Sequence, residues 1–385
     1  MKKKVLIMAG HYIPSVKAGG PVQSIKNLVD NLSDEIDFYI VAADRDLGDD
    51  KPFSNIEKNK WIKVGKAEVF YTNLSKLKWS KVANIINAVP YDVLYLNSLF
   101  SYRTSILPLF LMKLRKISSR LIILAPRGEL SPGALGLKKR KKMLFIKIAK
   151  LLGLHRQITW HATANLEKKH IEKTFGNDNQ IVIAPNLTAS YSNLEFDKNI
   201  PKQAGELKVI FISRIAPKKN LKTALELLRM VRGKIEFNIY GPVEDKSYWS
   251  ECQDVMNDLG SHVSVSYCGV VAHNGVMNLF KEHHIFLFPT LGENFGHVIS
   301  EALIGGCPVI ISDQTPWRDL SSQQVGWDIA LDDTEMFVRV LQKCIDMENG
   351  EYQNMSERAF EYCRTLTSSD SNVRGYHELF GLYTK

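Results

Sequence analysis

Short apolar runs and helical patterns alternate along this chain, and the alternation occurs twice. In each half, runs rich in Val, Ile and Leu are separated by helical stretches of about 10–15 residues. A polar stretch at residues 187–207 interrupts the pattern and is predicted to be a linker. Continuous apolar strands separated by helices are typical of βαβ units around a buried parallel sheet. A chain of 385 residues is therefore predicted to form two α/β domains.

The same patterns give approximate limits for the elements. Strands are predicted at residues 4–9, 37–43, 93–96, 121–125, 159–162 and 181–184, then at 209–212, 236–240, 263–267, 285–288 and 308–311. Helices are predicted at residues 21–32, 104–117, 137–153 and 165–175, then at 221–231, 248–259, 276–282, 295–304, 334–347, 354–365 and 373–383. The fold class is α/β, with Rossmann-like domains at residues 1–190 and 191–365 facing each other across a ligand-binding cleft.

Charge is unevenly divided between the two halves. Of the 50 Lys and Arg residues, 31 lie in residues 1–190, whereas residues 191–385 are net acidic. This asymmetry predicts that the first domain meets an anionic partner. The five cysteines are scattered and form no CxxC pair, so neither a disulfide framework nor a zinc site is predicted. A reduced, cytoplasmic protein is the simplest interpretation.

The segment from Glu293 to Glu301 follows the predicted strand 285–288. Ligands bind at the carboxyl ends of strands in α/β folds, and the first N–H groups of the next helix suit an anion. Gly296 leaves room for a diphosphate or a sugar, and the Glu301 carboxylate can accept hydrogen bonds from two vicinal hydroxyls. Taken alone, the E-x7-E spacing is more typical of a helix cap and a surface acid.

Arg214 and Lys219 follow the predicted strand 209–212, and Asn220 is predicted to cap the next helix. A guanidinium and an ammonium group at this edge can bind a diphosphate without a metal ion. Such cations also stabilise the charge that develops when a nucleoside diphosphate leaves. Taken alone, the two residues are typical of ordinary surface charge.

Gly19 and Gly20 lie between the first predicted strand and the first predicted helix, and Pro21 suits the first helical turn. Such a glycine pair fits either a phosphate contact or a simple tight turn. It matches neither the P-loop nor the GxGxxG pattern.

These features occur along the chain in an order that resembles the motif order of the retaining glycosyltransferases of family 4, which have the GT-B fold. The resemblance rests on the glycine pair, the R-x4-K spacing of Arg214 and Lys219, the Tyr240-Gly241 turn and the E-x7-E segment. It covers essentially the whole chain and is most specific in the carboxyl-terminal half. It implies a nucleotide-diphosphate sugar as donor and requires no metal ion or other cofactor. It also implies that the last helix, at residues 366–385, packs back on the first domain.

The resemblance also implies roles for individual residues. Glu293 contacts hydroxyls of the transferred sugar, and Glu301 holds the ribose of the nucleotide. Glu293, Arg214 and Lys219 are the implied catalytic residues. The implied donor-binding set is Gly19, Gly20, Arg214, Lys219, Gly241, Glu293, Asn294, Phe295, Gly296 and Glu301.

The chain departs from the family pattern after the strand predicted at 121–125. Many relatives have a histidine there, whereas this chain has Pro126-Arg127-Gly128-Glu129. That sequence resembles a subgroup associated with surface-polysaccharide assembly, and it makes Arg127 and Glu129 candidates on the acceptor side. A rival signal, Asp44-Arg45-Asp46, imitates the D-x-D metal motif of the other glycosyltransferase fold, but the cationic pair makes a metal redundant.

The segment Lys138–Arg156 is rich in Lys and Arg and contains no acidic residue. Five apolar residues recur in it at helical spacing and are expected to pack inward: Leu144, Phe145, Ile148, Leu151 and Leu152. The unbalanced charge favours contact with an anionic membrane surface over a merely solvated helix face. Nucleic acid is not predicted as a partner, because no RRM, helix-turn-helix or zinc signature occurs.

The sequence therefore predicts a retaining, metal-independent glycosyltransferase of the hexosyltransferase type. Its acceptor is predicted to be a glycan or a polyprenyl-linked glycan used in O-antigen, capsule or exopolysaccharide biosynthesis. The expected location is cytoplasmic and peripheral, on the inner face of the cell membrane. Two alternatives stay open: a sugar-nucleotide epimerase of similar fold, and a nucleotide-sugar-binding protein without catalysis.

Overall fold

The computed structural model describes residues 2–136, 139–189, 191, 194–367 and 371–382. The chain divides into two compact units. Unit 1 comprises Met1–Ala189 together with Asp370–Lys385, and unit 2 comprises Ser190–Ser369. A predominantly parallel sheet forms the centre of each unit, which confirms the predicted fold class of two Rossmann-like α/β domains.

The sheet of unit 1 has the strand order β3-β4-β2-β1-β5-β6-β7-β8. Its pairs are parallel except for β3 and β4, where Trp61 lies opposite Phe70 in an antiparallel ladder. The strands are β1 (Lys3–Met8), β2 (Ile36–Ala43), β3 (Trp61–Val64), β4 (Ala67–Thr72), β5 (Val93–Asn97), β6 (Leu121–Ala125), β7 (Thr159–Ala162) and β8 (Ile181–Ile183). The helices are α1 (Gly20–Leu32), α2 (Trp79–Asn87), α3 (Leu107–Lys113), α4 (Pro132–Gly136), α5 (Lys139–Leu151), α6 (Asn165–Phe175) and, from the end of the chain, α13 (Ser371–Phe380).

Both faces of this sheet are buried, which explains its near-continuous apolar strands. Alternate residues of β1 point to opposite faces, so Leu6 joins one core cluster and Val5 joins the other. The helix α13 covers the second face, where Phe380 makes an edge-to-face contact with Tyr95 at 5.8 Å. Lys3 Nζ also donates hydrogen bonds to the carbonyls of Phe380 and the following glycine, both at 2.7 Å. The last described helix is therefore part of the first unit.

The sheet of unit 2 is parallel, with the strand order β11-β10-β9-β12-β13-β14. Its strands are β9 (Glu206–Ile212), β10 (Lys234–Tyr240), β11 (Val263–Gly269), β12 (Ile285–Phe288), β13 (Val309–Ser312) and β14 (Gly326–Ile329). Its helices are α7 (Leu221–Arg229), α8 (Lys246–Asn257), α9 (His273–Lys281), α10 (His297–Ile304), α11 (Thr334–Asp346) and α12 (Asn349–Thr367). The strand β9 lies between β10 and β12, so the order reverses there, which is where ligands bind in such sheets.

Several elements differ from the sequence prediction. The pattern missed β3, β4, α2 and β14, which are short and carry polar residues among the apolar ones. The helix predicted at 104–117 begins as a π-helical turn at Tyr102–Ile106 and continues as α3, with Pro108 in the first turn of α3. Pro108 has no N–H to donate, so the helical ladder starts afresh at this point.

The predicted linker at 187–207 is anchored in its described part by two buried lysines. Lys198 Nζ donates to the carbonyls of Phe280, His283 and Gly306 at 3.0, 2.6 and 2.9 Å. Lys202 Nζ likewise donates to the carbonyl of Ile345 at 2.9 Å. Burial lowers the pKa of Lys198 to about 8. These contacts satisfy carbonyls near the ends of the helices of unit 2.

The basic segment forms α5, and the expectation that its apolar residues pack inward is wrong for four of the five. Leu144 and Leu151 are 60% and 86% exposed, and Ile148 and Leu152 are exposed as well. The face turned to the core instead carries residues such as Ile146 and Ala149. Lys138 lies outside the described residues. Across the described ranges, none of the helices has the length and apolar character needed to cross a bilayer.

A substitution at Gly326, at the start of β14, tests how closely the strands of the second sheet approach each other. Its φ is +156°, and an added Cβ would lie 2.3 Å from the carbonyl oxygen of Val309. We expect Gly326→Ala to lower the free energy of unfolding by about 1–3 kcal/mol, measured by scanning calorimetry of the full chain. The control is Gly350→Ala in α12, where an added Cβ meets no atom within 4 Å. Equal transition temperatures for the two variants would contradict this account.

Candidate active site

An ion pair joins two loops at the carboxyl edge of the second sheet. The strands β9 and β12 are neighbours, with Val209 opposite Ile285, so the loops that follow them meet. Lys219 Nζ donates to Glu293 Oε1, and the two side chains are 12% and 14% exposed. Lys219 Nζ also lies 5.5 Å from the ring centroid of Phe288, a cation–π contact. The structure thus brings together a predicted phosphate-binding cation and a predicted sugar-binding carboxylate.

Backbone hydrogen bonds hold these loops in register. The N–H of Leu291 donates to the carbonyl of Lys218 at 2.9 Å, and the N–H of Glu293 donates to the carbonyl of Gln314 at 2.9 Å. The Asn220 amide donates to the carbonyl of Pro289 at 2.8 Å. Asn220 was expected to cap α7 with its side chain, but no such cap is formed; its left-handed backbone (φ 59°) precedes the helix while its amide spans the two loops.

Arg214 has a different partner from Lys219. Its guanidinium forms an ion pair with Glu244, a residue that the sequence analysis did not select. Gly241, which follows β10, packs against the loop that carries Arg214. Its φ is +132°, and an added Cβ would lie 1.9 Å from the carbonyl oxygen of Ser213. The glycine is therefore required by the close approach of the loops after β9 and β10, apart from any ligand. Gly241 and Arg214 are neighbours in space, as their positions at adjacent strand ends imply.

The turn between β12 and α10 contains Asn294, Phe295 and Gly296. The helix begins at His297 rather than at 295 as predicted, because Gly296 adopts a left-handed conformation with φ 81°. An added Cβ at Gly296 would lie 2.8 Å from Ile299 Cδ1, so the turn itself requires glycine. The indole N–H of Trp317 donates to the carbonyl of Phe295 at 2.7 Å. These contacts fix the backbone in front of the helix N-terminus, which carries partial positive charge.

Glu301, on α10, contacts a histidine rather than a lysine. The distance from Glu301 Oε1 to His273 Nε2, on α9, is 3.1 Å, and the Glu301 side chain is largely buried. The two acids of the E-x7-E segment therefore have separate partners in the second unit. The sequence analysis did not select His273, because the helix predicted at 276–282 begins three residues earlier in the structure.

The glycine loop of unit 1 is open on its outer side. Gly19, with φ 62°, precedes α1, and an added Cβ at either Gly19 or Gly20 would meet no atom within 4 Å. The backbone of Gly19 requires glycine because of its positive φ, whereas that of Gly20 does not. Space is therefore available in front of both residues for the close approach of a ligand.

Asp46 fixes the loop that leads to this glycine pair. Its carboxylate accepts hydrogen bonds from the N–H groups of Val16, Lys17 and Leu47 at 2.9, 3.1 and 2.7 Å, and from the Ser15 hydroxyl. Burial opposes ionisation, but these hydrogen bonds outweigh it, so the pKa of Asp46 lies below its usual value. The D-x-D pattern is used here to brace a loop. Among the described residues, no cluster of three or more His, Cys, Asp or Glu side chains is suited to a metal ion.

Arg127 follows β6 in unit 1 and adopts a left-handed backbone with φ 55°. Its guanidinium donates to Asn97 Oδ1 from Nε and Nη2, both at 3.1 Å, to the Tyr95 hydroxyl at 2.8 Å, and to Asn186 Oδ1. The Tyr376 hydroxyl, on α13, is a further hydrogen-bond partner. Arg127 therefore ties together the ends of β5 and β6, the segment after β8, and the last helix.

Glu129 accepts hydrogen bonds from its own neighbourhood in unit 1. Its carboxylate receives the hydroxyl of Ser98 at 2.7 Å and the N–H groups of Leu99 and Phe100 at 2.6 and 3.1 Å. Burial raises the pKa of Glu129, and the same hydrogen bonds act against that rise. The contacts of Glu129 hold the loop after β5, and its role on the acceptor side stays a prediction.

Comparison with known proteins shows similarity both in the sequence of unit 2 and in the fold. Residues 192–362, most of unit 2, match the family model described as Glycosyl transferases group 1. A protein described as an uncharacterized 41.2 kDa protein in the cps region of Klebsiella pneumoniae is 23% identical over 389 aligned residues, covering 97% of this chain and 99% of that protein. The sequence comparisons thus support a group 1 glycosyltransferase.

Solved structures with similar folds match over nearly the whole chain. Anabaena Alr3699/HepE, solved in complex with UDP and glucose, has a TM-score of 0.67 at 15% identity, with 99% of this chain and 100% of that chain covered. WaaG, a glycosyltransferase involved in lipopolysaccharide biosynthesis, has a TM-score of 0.67 at 12% identity, with 98% and 100% covered. The chain has the GT-B fold, as the resemblance implied.

The Asp46 contacts predict an acid-sensitive loop in unit 1. A carboxylate whose pKa is lowered on folding contributes stability that is present above the usual Asp pKa of about 4 and is lost as the pH falls through the lowered value. We expect the amides of Val16, Lys17 and Leu47 to lose protection from hydrogen exchange over that acid range. At pH 7, Asp46→Asn should speed their exchange about tenfold, since a charge-assisted hydrogen bond is weakened. The control Asp49→Asn, at an exposed ion pair with Lys17, should change exchange less than twofold; equal effects would refute the assignment.

Proposed function

We propose that this chain is a retaining, metal-independent glycosyltransferase of family 4. It transfers a hexosyl group from a nucleotide-diphosphate sugar to a glycan or a polyprenyl-linked glycan in cell-surface polysaccharide biosynthesis. The observation that carries the proposal is the contact between Lys219 and Glu293 at the switch point of the second sheet. A phosphate-binding cation and a sugar-binding carboxylate lie side by side, as a site for a sugar diphosphate requires.

Arg214 and Lys219 supply the charge that such a reaction needs. As the bond between the sugar and the diphosphate breaks, negative charge develops on the leaving oxygen, and fixed cations stabilise it. Both residues already face a carboxylate, Glu244 for Arg214 and Glu293 for Lys219, so the diphosphate competes with these carboxylates for the cations. The backbone of residues 294–296 in front of α10 adds N–H groups for the same anion.

Retention follows in this proposal from the geometry of the leaving group. The departing diphosphate accepts the proton of the acceptor hydroxyl on the same face of the sugar, so a separate general base is not required. Glu293 binds hydroxyls of the sugar and does not act as a nucleophile beneath the anomeric carbon. The proposed donor set includes Gly19 and Gly20 of unit 1, where an added side chain would enter open space.

The proposed pathway is supported by the described roles of similar proteins. The Klebsiella protein lies in a cps region, and WaaG is involved in lipopolysaccharide biosynthesis. HepE has been solved with UDP-glucose, which supports a nucleotide sugar as donor. The proposed location is the cytoplasmic face of the membrane, where such acceptors are presented.

Replacing either Lys219 or Glu293, which form the ion pair at the candidate site, tests the proposed transferase activity. We expect Glu293→Gln and Lys219→Met each to reduce sugar transfer at least about 1,000-fold, because each removes a contact to the sugar or to the developing charge. The assay is transfer and donor hydrolysis with panels of UDP-, GDP- and ADP-sugars. The matched controls are Glu251→Gln and Lys222→Met, which break an exposed ion pair in the same unit, 3.3 Å long. Activity within tenfold of wild type in either site variant would remove the basis of the proposal.

We also propose that α5 binds an anionic membrane surface. Its exposed apolar residues Leu144, Ile148 and Leu151 follow the i, i+4, i+7 spacing of one helix face. Exposed basic residues, among them Lys139, Arg140, Lys141, Lys147 and Lys150, surround that face. An apolar stripe bordered by cations is the arrangement of helices that lie in the membrane interface.

Charge reversal on α5 tests this surface. We expect Lys139→Glu, Arg140→Glu and Lys141→Glu together to weaken binding to phosphatidylglycerol vesicles about 100-fold or more, since each basic residue contributes about 1 kcal/mol near such a surface. Flotation or surface plasmon resonance measures the change, and phosphatidylcholine vesicles should bind neither protein. The control reverses three exposed lysines elsewhere in unit 1, namely Lys51, Lys169 and Lys173. Equal loss in both triple variants would show that net charge, not α5, drives binding.

A further inference from the structure

Asn97, the last residue of β5, has a buried amide nitrogen, Nδ2, with no hydrogen-bond partner among the described residues. The residue is 8% exposed, and its Oδ1 accepts two hydrogen bonds from Arg127, which identifies the other amide atom as the nitrogen. Nδ2 is therefore a donor held in place beside a guanidinium. Burying a donor without an acceptor is unfavourable, so such groups are rare in folded proteins and call for an explanation.

The guanidinium of Arg127 is equally unusual. Within the described part of the chain, its hydrogen bonds go to neutral groups, on Asn97, Tyr95, Asn186 and Tyr376. The Tyr95 hydroxyl is in turn 2.6 Å from Nδ1 of His161. Burial, aided by the charge of Arg127, lowers the pKa of His161 to about 3, so this histidine is neutral and adds no second positive charge beside Arg127.

The nearby carboxylates hold backbone instead of the guanidinium. Glu167 accepts the N–H of Gly128 at 2.6 Å and the N–H and hydroxyl of Thr163 at 2.8 and 2.7 Å. Glu129 is occupied by the loop after β5. Glu167 lowers the cost of burying Arg127 through space, yet the oxygens of Glu167 and Glu129 accept their hydrogen bonds from other groups. The guanidinium is thus held by neutral hydrogen-bond partners, so its charge attracts an external anion, and Asn97 Nδ2 supplies the unpaired N–H for that anion.

We propose that Asn97 and Arg127 together bind an oxyanion of the acceptor, a phosphate or a carboxylate. The two residues end the adjacent parallel strands β5 and β6, where α/β sheets bind ligands. Ser98 and Arg127 both have positive φ, of 75° and 55°, which is rare for residues other than glycine and concentrates at functional sites. The inference rests on the proposed function, and it specifies the charge of the acceptor.

The loop after β5, which follows Asn97, contacts the helix α5, for which membrane binding is proposed. The N–H of Phe100 donates to Glu129, and the Phe100 ring contacts Phe145 at 5.9 Å and lies 5.0 Å from Lys142 Nζ. The oxyanion site and α5 are therefore joined by direct contacts within unit 1. A diphosphate between a lipid and its first sugar would reach such a site from the membrane surface, whereas an acidic sugar would reach it from solution.

The test compares Asn97→Asp with wild type on three kinds of synthetic acceptor. These are long-chain alkyl-diphosphate hexosides, neutral alkyl hexosides and alkyl hexuronosides. In the variant, the new carboxylate pairs with Arg127 and repels an incoming anion. We expect wild type to show at least a tenfold lower KM for one of the anionic acceptors than for the neutral one, and the variant to lose that preference. The control Asn177→Asp, at an exposed asparagine of the same unit, adds the same charge and should keep that preference.

The outcomes separate this inference from the proposed function. A preference for the diphosphate acceptor assigns the oxyanion to a lipid-linked substrate, and a preference for the hexuronoside assigns it to an acidic sugar. Equal KM values for anionic and neutral acceptors in wild type, or a preference that survives in Asn97→Asp, would overturn the inference alone. No turnover of any donor with any acceptor would reject both. If the variant does not fold, inorganic pyrophosphate decides: inhibition of wild type that is competitive with the acceptor supports the site, and inhibition competitive with the donor only refutes it.

Discussion

The pairing of β9 with β12 is the constraint on which the candidate donor site depends. These strands are far apart in sequence, yet they are neighbours in the sheet, and the order reverses at β9. Only this crossover brings Lys219 to Glu293. The supporting contacts of the loops all act at the same edge: the 1.9 Å clearance that forces glycine at 241, the left-handed Gly296, and the Asn220 amide that spans to Pro289. Fold and site are therefore determined by one topological feature.

The sequence analysis predicted the elements that show a clear local pattern of apolar residues. It missed the features that depend on contacts between residues distant in sequence. Strands such as β6 and β12 were placed correctly because fully buried parallel strands are continuous apolar runs. The antiparallel strand β3 was missed because an edge strand keeps polar residues. On α5, helical spacing was visible, but spacing alone does not say which face meets the core, so the exposure of Leu144 and Leu151 could not be predicted.

The site residues followed the same division. Arg214, Lys219 and Glu293 were selected because they follow strands, and the structure places them at one edge. Two partners were not selected: Glu244, which pairs with Arg214, and His273, which contacts Glu301. Contacts between separate loops leave no repeating pattern in the sequence. In unit 1, Asp46 and Glu129 bear carboxylates that a sequence motif cannot distinguish from catalytic acids. Their hydrogen bonds to backbone N–H groups show that both hold loops in place.

The two basic sites differ in how their charge is balanced, and this difference bears on the order of events in transfer. Arg214 and Lys219 each have a carboxylate partner, so the proposed donor diphosphate would gain their hydrogen bonds only by weakening existing ion pairs. Arg127 is held by neutral groups, so its charge is not cancelled by an ion pair, and the proposed acceptor anion would be attracted by that charge while taking its hydrogen bond from Asn97 Nδ2. In the first case, exchange of partners makes binding selective for a ligand that replaces both carboxylates. In the second, the unpaired Nδ2 of Asn97 and the positive φ of Ser98 and Arg127 destabilise the folded chain, and the proposed anion would offset part of this cost by pairing with Nδ2.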